Sequence, residues 1–377
     1  MRSPKAILNE KTNWLIRLTC LFWIASKLIC WKLWLADRLF PLIPPFDFLH
    51  LPANMHYVLF GFSLTTLVLL MISPKKRSLQ IAVIVIEIIS CLLDQNRWQP
   101  WEYQYIFTLF IFVANKKDEA SIKPVLIFLL ASIYFYSGLG KINPVFLQSI
   151  WYNLLLSKNF GVSYALAHNR WIYHAGYLLG LIEIILGLGL LFKRTRKIAS
   201  ILLISMHILI LIVFGPFGLN YDRVIWPWNI SMIGYLIILM KDSEEQFSFK
   251  SLELRWNPLI VVLFGVMPLL SLFGWWDYFL SSSLFSSRPT DMYMCVPINE
   301  KIPLYEYADE GKSPCDSTLG MINVRSWAFE ELNAPGYPQR RVYVKMKEQL
   351  EKKYPGLNAT YYIYSYKNGK KVKEILP

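Results

Sequence analysis

Apolar residues fill the first three quarters of the chain in blocks of fifteen to twenty-two, separated by short connections that carry Lys, Arg, Pro and Trp. A bilayer hydrocarbon core of about 30 Å takes about 20 helical residues. The blocks therefore predict about nine transmembrane helices, at 14–34, 54–72, 79–94, 101–115, 124–140, 171–192, 197–214, 224–240 and 257–276. The fourth is short, and Arg17 and Lys27 interrupt the first. From about residue 286 the pattern turns to mixed polar sequence. There the stretch from Arg340 to Tyr354 predicts a charged helix, and Thr360–Lys367 and Lys370–Leu376 predict two strands around Asn368-Gly369, a pair suited to a tight hairpin turn. Some ninety residues make a small domain, not a second enzyme of ordinary size. The expected architecture is an all-α polytopic membrane bundle over residues 1–285, followed by a small extramembrane α+β domain over 286–377.

Composition agrees with that class. Hydrophobic residues make up 55 % of the chain, aromatic residues 16 % and charged residues only 17 %, with a mean hydropathy of +0.35. These values exclude a disordered chain, a secreted disulfide scaffold and a DNA-binding domain. The net charge of +13 does not imply a nucleic-acid partner, because the cations sit in connections between apolar blocks. Taken alternately, one side receives sixteen Lys and Arg, among them Lys75, Lys76, Arg77, Lys193, Arg194, Arg196 and Lys197. The other side receives six, namely Arg38, Arg97, Lys141, Lys158, Arg170 and Arg223. The positive-inside rule then puts the N-terminus in the cytoplasm and, after nine crossings, the C-terminal domain outside. Trp98, Trp101, Trp171, Trp226 and Trp228 crowd the outer connections, where amphipathic rings meet the membrane interface. The basic N-terminus precedes an apolar stretch that lacks a small-residue cleavage site, so it is read as a retained first helix.

Five cysteines form no metal-ligand or CxxC spacing. Cys20, Cys30 and Cys91 are isolated in apolar blocks, whereas Cys295 and Cys315 share the polar C-terminal region, form the disulfide candidate and are expected to lie in an oxidising compartment. No metal site is predicted.

An ionisable side chain at the centre of a membrane helix costs about 2.5–3.5 kcal/mol even on the lower scales, so each is a functional candidate. Five stand out: Glu87, Asp94, Lys141, Glu183 and His207. For Glu87, Glu183 and His207 the simplest reading is a helix–helix hydrogen bond inside the bundle, and Asp94 and Arg97 lie near a helix end as interfacial residues. Lys141 ends an aromatic, small-residue helix beside Ser137, Gly138 and Gly140. Snorkelling to the interface is one reading of it. The other is a general base, because desolvation disfavours the charged amine. Gly180, Gly187 and Gly189 suit tight helix packing and lack the context of a nucleotide fingerprint.

The segment YFYSGLGKINPVFLQSIWYN (134–153), followed by LIEIILGLGLLF (181–192) and SMHILILIVFGPFGL (205–219), resembles the membrane domain of vitamin K-dependent γ-carboxylases and the wider HTTM group of bacterial membrane proteins. NRWQPWEYQY (96–105) occupies the place of that family's entry to the preceding helix, with Trp101 where the family has a histidine. The match covers residues 80–240. The resemblance implies that Lys141 deprotonates a reduced quinone, vitamin K-like or a menaquinol, with His207 as a second catalytic residue. Quinol oxygenation would then yield a strong base for carboxylation of a glutamyl side chain. Tyr136, Ser137, Gly138, Trp101 and Glu183 are the candidate residues around the cofactor. The large lumenal region of that family is replaced by the short C-terminal domain, which points to a bacterial cytoplasmic membrane with the domain periplasmic or extracellular. GLGKINP and the later glycine-rich helix are also similar to DoxX-type four-helix proteins associated with quinone-linked redox chemistry. The alternative class is a non-catalytic scaffold or accessory subunit whose C-terminal domain binds an extracytoplasmic protein partner. Transport is disfavoured, since no inverted repeat or pair of broken helices is evident.

Overall fold

The computed structural model describes residues 4–240, 247–282, 290–298, 302–367 and 370–376. Every predicted apolar block is helical: α1 (Pro4–Ile29), α2 (Ala53–Ile72), α3 (Arg77–Leu93), α4 (Pro100–Ala114), α5 (Ile122–Lys141), α6 (Arg170–Gly189), α7 (Lys193–Phe214) and α8 (Ile225–Met240), then α9 (Asn257–Phe273). A π-helical stretch, Leu147–Asn159, lies between α5 and α6.

Among the described residues, four helices are long and apolar enough to cross a membrane: Ala53–Ile72, Glu119–Lys141, Arg170–Gly189 and Lys193–Phe214. This is fewer than the nine expected. The physical reason is length: α3, α4 and α8 have 17, 15 and 16 residues and α9 is likewise among the shorter apolar helices, which at about 1.5 Å per residue reach only about 22–26 Å. Helix α1 is long enough, but Arg17 and Lys27 interrupt it.

The chain forms two compact units. One comprises Met1–Leu28, Phe62–Ile88 and Gln99–Ser287; the other combines Ile29–Gly61, Ile89–Trp98 and Arg288–Pro377. In the first, α5 is the central element: 83 % of its apolar window is buried, against 22–28 % for the other three candidate spans, whose remaining faces are open for lipid. Helix α6 lies against α5 through glycines. A Cβ on Gly138 would sit 2.5 Å from the carbonyl oxygen of Gly180, and one on Gly180 would sit 2.6 Å from that of Gly138, so only hydrogen fits at this crossing.

The second unit is built on a five-stranded antiparallel sheet of β1 (Asp291–Pro297), β2 (Asp309–Glu310), β3 (Leu319–Asn323), β4 (Thr360–Lys367) and β5 (Lys370–Leu376), in the order β2-β3-β1-β4-β5. Alternation along β1 and β4 buries Met292, Met294, Tyr361 and Ile363 on one face. Helices α10 (Val324–Leu332) and α11 (Arg340–Lys353) contribute buried Val324, Trp327, Val342 and Met346 to this core. The predicted helix and both predicted strands are present. The Asn368-Gly369 turn lies outside the described residues. Cys295 and Cys315 are joined in a disulfide.

Polar bonds explain why two N-terminal connections belong to this unit. Glu331 accepts hydrogen bonds from the backbone N–H of Leu39 (2.6 Å) and Phe40 (2.9 Å) and from Trp327 Nε1 (2.8 Å). Asp94 pairs with Arg38 and caps the turn at Asn96, while Arg97 donates to the carbonyls of Leu33, Ser90 and Trp34 and meets His56 Nδ1 at 3.0 Å. Asp94 and Arg97 are thus fully buried knots of this unit.

Candidate functional site

Helix α5 ends where Ile142 and Asn143 precede Pro144, since the residue before proline is disfavoured in the α conformation. Asn143 then caps the following turn, its Oδ1 accepting from Phe146 N at 2.9 Å. The stop leaves Lys141 in the last turn of α5. Tyr134, Ser137 and Lys141, spaced by three and four, lie along one side of the helix.

That side lines a cavity of about 700 Å³ within the first unit, bounded also by Glu183 of α6, His207 of α7 and Trp228, Asn229 and Met232 of α8. Most of the lining is apolar, with Ile133, Phe146, Leu186 and Phe214 among the wall residues. Two polar groupings interrupt it. In the first, Lys141 Nζ donates to Glu183 Oε2 at 2.5 Å, to Ser137 Oγ at 2.6 Å and to the Ser137 carbonyl at 3.2 Å. Both charged side chains are largely buried, so water screens the pair little.

In the second, Tyr134 Oη meets His207 Nε2 at 2.7 Å and His207 Nδ1 meets Asn229 Oδ1 at 2.6 Å. Asn229 Nδ2 donates to the Ile225 carbonyl at 2.7 Å, which orients the amide and leaves its oxygen toward the ring. An amide oxygen only accepts, so His207 carries its proton on Nδ1, and the neutral ring accepts from the Tyr134 hydroxyl at Nε2. The result is a short chain of exchangeable protons from Tyr134 at the cavity wall to the buried Asn229.

The structure brings together four of the residues singled out from the sequence: Lys141, Ser137, Glu183 and His207. It places three others elsewhere. Tyr136 donates its hydroxyl to the Gly265 carbonyl, because neighbouring residues on a helix point about 100° apart. Gly138 faces the Gly180 backbone at the helix crossing. Trp101 is buried on α4 with its ring 6.3 Å from that of Tyr105, and it does not line the cavity. Tyr134 and Asn229 were missed. The seven-residue spacing from Tyr134 to Lys141 was a usable signal for the first. For the second, the only sequence hint was an amide inside the aromatic block IWPWNIS.

Among the described residues, no group of His, Cys, Asp or Glu is arranged to hold a metal. Comparison of the chain with family models, curated proteins and solved structures finds no match.

Proposed function

We propose that this is a membrane protein whose helical unit takes a reduced isoprenoid quinone into the cavity beside Lys141. The observation that carries this reading is the cavity itself: about 700 Å³, mostly apolar, with its ionisable side chains gathered in the Lys141–Glu183 pair and the Tyr134–His207–Asn229 chain. That volume lies in the usual range for small-molecule sites, and a greasy enclosure with a few convergent polar groups suits a flat aromatic head with an apolar tail. The resemblance to HTTM and γ-carboxylase membrane domains points the same way, since Lys141 and His207 both contribute to this one wall.

A quinol would supply two electrons and two protons on oxidation. To act as base, Lys141 would first pass a proton to Glu183 across the hydrogen bond they share, and the neutral amine so formed would then take a hydroxyl proton from the quinol. Ser137 holds the amine in place from the preceding turn. On the opposite polar grouping, Tyr134 would bind the second ring oxygen, with His207 fixing the direction of its hydroxyl. Carboxylation of a glutamyl side chain is the furthest extension of the reading.

The orientation belongs to the same proposal: N-terminus cytoplasmic, nine crossings of a bacterial cytoplasmic membrane, C-terminal unit outside. The sixteen-to-six distribution of Lys and Arg and the Cys295–Cys315 disulfide support it.

The test is quinone retention by the purified protein, quenching of Trp228 fluorescence by added naphthoquinone, and oxygen uptake with reduced naphthoquinone, each for wild type and Lys141→Arg. Binding by both and turnover by wild type alone is the expected result, because guanidinium cannot act as base near neutral pH. Equal turnover removes Lys141 as the base. Absence of quinone binding by wild type favours the scaffold class, for which the open sheet face bearing Tyr293, Tyr362, Tyr364, Lys371 and Lys373 is the natural partner surface.

A further inference from the structure

Helices α1 to α4 assemble a second set of ionisable groups that the cavity does not use. Lys27 Nζ donates to Glu87 Oε2 at 2.7 Å, and neither side chain has any exposure. Ser63 Oγ donates to Glu87 Oε1 at 2.5 Å. A second carboxyl, Glu102, is fully buried and accepts from Trp23 Nε1 at 2.6 Å through Oε2. Its other oxygen, Oε1, is buried and meets no hydrogen-bond donor among the described residues. The charges that act on Glu102 are Lys27 and Glu87, and the Glu87 carboxyl lies within hydrogen-bonding reach of it.

The charge count is decisive here. One lysine balances one carboxylate, and the second would stand as an uncompensated negative charge in a dry site, at an effective cost of several kcal/mol. Two ionised carboxylates in contact also repel, whereas one proton between them makes the contact a hydrogen bond. A proton on Glu102 removes the excess charge and turns the stranded Oε1 from an acceptor without a donor into a donor itself.

We propose that Glu102, backed by the Lys27–Glu87 pair, is a buried binding site for one exchangeable proton. Two hydroxyls lie between this site and the cavity wall. Tyr105, one turn along α4 from Glu102, donates to Ser231 Oγ at 2.9 Å, and Ser231 donates to the Trp228 carbonyl at 2.7 Å. Trp228 and its neighbour Asn229 form part of the cavity wall. The proton is therefore held one helical turn from Tyr105, whose hydroxyl stands with that of Ser231 between Glu102 and the cavity wall, where it would serve as a reservoir for acid–base chemistry. Among the described residues, Lys27 and Glu87 are the side-chain charges that act on Glu102: Trp23 and Lys27 come from α1, Ser63 from α2 and Glu87 from α3, and Tyr105 in turn interacts with Tyr235 of α8.

The experiment is infrared spectroscopy of the full chain in liposomes, which reads the C=O stretch of a protonated carboxyl directly. Wild type is expected to show a carboxylic band near neutral pH that shifts on transfer to deuterated water and is lost in Glu102→Gln, a variant that keeps an acceptor for Trp23. Tyr105→Phe is expected to slow the deuterium shift, and an unchanged rate removes these two hydroxyls as the route. A spectrum in which Glu102→Gln removes no carboxylic band overturns the site. Should that variant fail to fold, a hydrophobic carbodiimide, which reacts with protonated carboxyls, is applied to wild type and the adducts are mapped. An adduct at Glu102 that disappears at alkaline pH upholds the site, and adducts confined to other carboxyls overturn it. This outcome is independent of quinone binding, whose failure would leave the proton site standing.

Discussion

Replacing Lys141 with methionine and Glu183 with leucine, singly and together, isolates the ion pair in the cavity wall. The two side chains retain 15 % and 7 % exposure at a separation of 2.5 Å, and at an effective dielectric constant of about 20 their gross attraction is roughly 7 kcal/mol. Desolvation of two ions offsets several kcal/mol of that for each partner. The net worth of the pair is therefore small, while stranding either member costs about 3–5 kcal/mol. Lys141→Met is expected to destabilise by that amount, leaving Glu183 without the ammonium that neutralises it, and Glu183→Leu similarly. The double variant replaces the pair with apolar side chains of similar reach and is expected to be more stable than either single variant. Thermal unfolding in one detergent, followed by tryptophan fluorescence, gives the coupling energy, and quinol turnover is measured on the same preparations. Turnover should be absent from all three variants, including the stable double variant, which separates chemistry from folding. Additive losses, with the double variant costing the sum of the singles to within about 0.5 kcal/mol, would show that the two groups do not interact and would refute the geometry of the wall.

Gly180→Ala puts a methyl 2.6 Å from the Gly138 carbonyl oxygen, so α5 and α6 must separate; a loss of about 1–3 kcal/mol in thermal unfolding is expected, and an unchanged melting temperature refutes the close crossing. Burial raises the Asp222 carboxyl, in the connection between α7 and α8, from 3.8 to about 7. The folded state then binds a proton that the unfolded chain lacks, so stability is expected to fall as pH rises from about 4 through about 7. Asp222→Asn, tolerated at φ 51°, should flatten that fall and gain about 2 kcal/mol at pH 8 once partial exposure is discounted, and parallel pH profiles for the two proteins would refute it. Glu331→Ala removes the acceptor of three donors in the second unit; a loss of about 3 kcal/mol and faster proteolysis within residues 29–61 are expected, and an unchanged cleavage rate counts against the knot.

The elements were legible because their periodicities are local. Nine apolar blocks became helices, and the strands Thr360–Lys367 and Lys370–Leu376 formed where alternation predicted them. What the pattern did not carry was pairing. The segment DMYMCVP, strand β1, lies at the centre of the sheet between β3 and β4, yet on its own it has no mark that distinguishes it from a loop. That residues 29–61 and 89–98 belong with the C-terminal unit was hidden for the same reason, since Asp94, Arg97 and Glu331 act through bonds to groups up to 292 positions away. Within the site, the helical spacing of Ser137 and Lys141 put both on the cavity side of α5, whereas Tyr136 and Gly138, adjacent in sequence, point to other neighbours for the same geometric reason.

The charges within apolar blocks show where sequence reasoning gains most from tertiary partners. Glu87, Asp94, Lys141 and Glu183 were legible as costs, and the structure shows how the cost is met: Glu87 by Lys27, Asp94 by Arg38, and Lys141 and Glu183 by each other, while Arg97, in a connection, is met by three carbonyls and His56. This changes the weight of the charge count along the chain. Of the six cations assigned to the outer side, Arg38, Arg97 and Lys141 are engaged in these buried or part-buried bonds and are not available to phospholipid headgroups. On the inner side, Lys75, Lys76, Arg77, Lys116, Lys117, Lys193, Arg194 and Lys197 remain exposed. Exposed cations near helix ends are the ones that meet phospholipid headgroups in the folded protein. Lys123 and Arg196, assigned to the inner side, are buried as well, so removing the engaged cations takes three of six from one side but only these two of the described ones from the other, and the bias toward the proposed orientation stands.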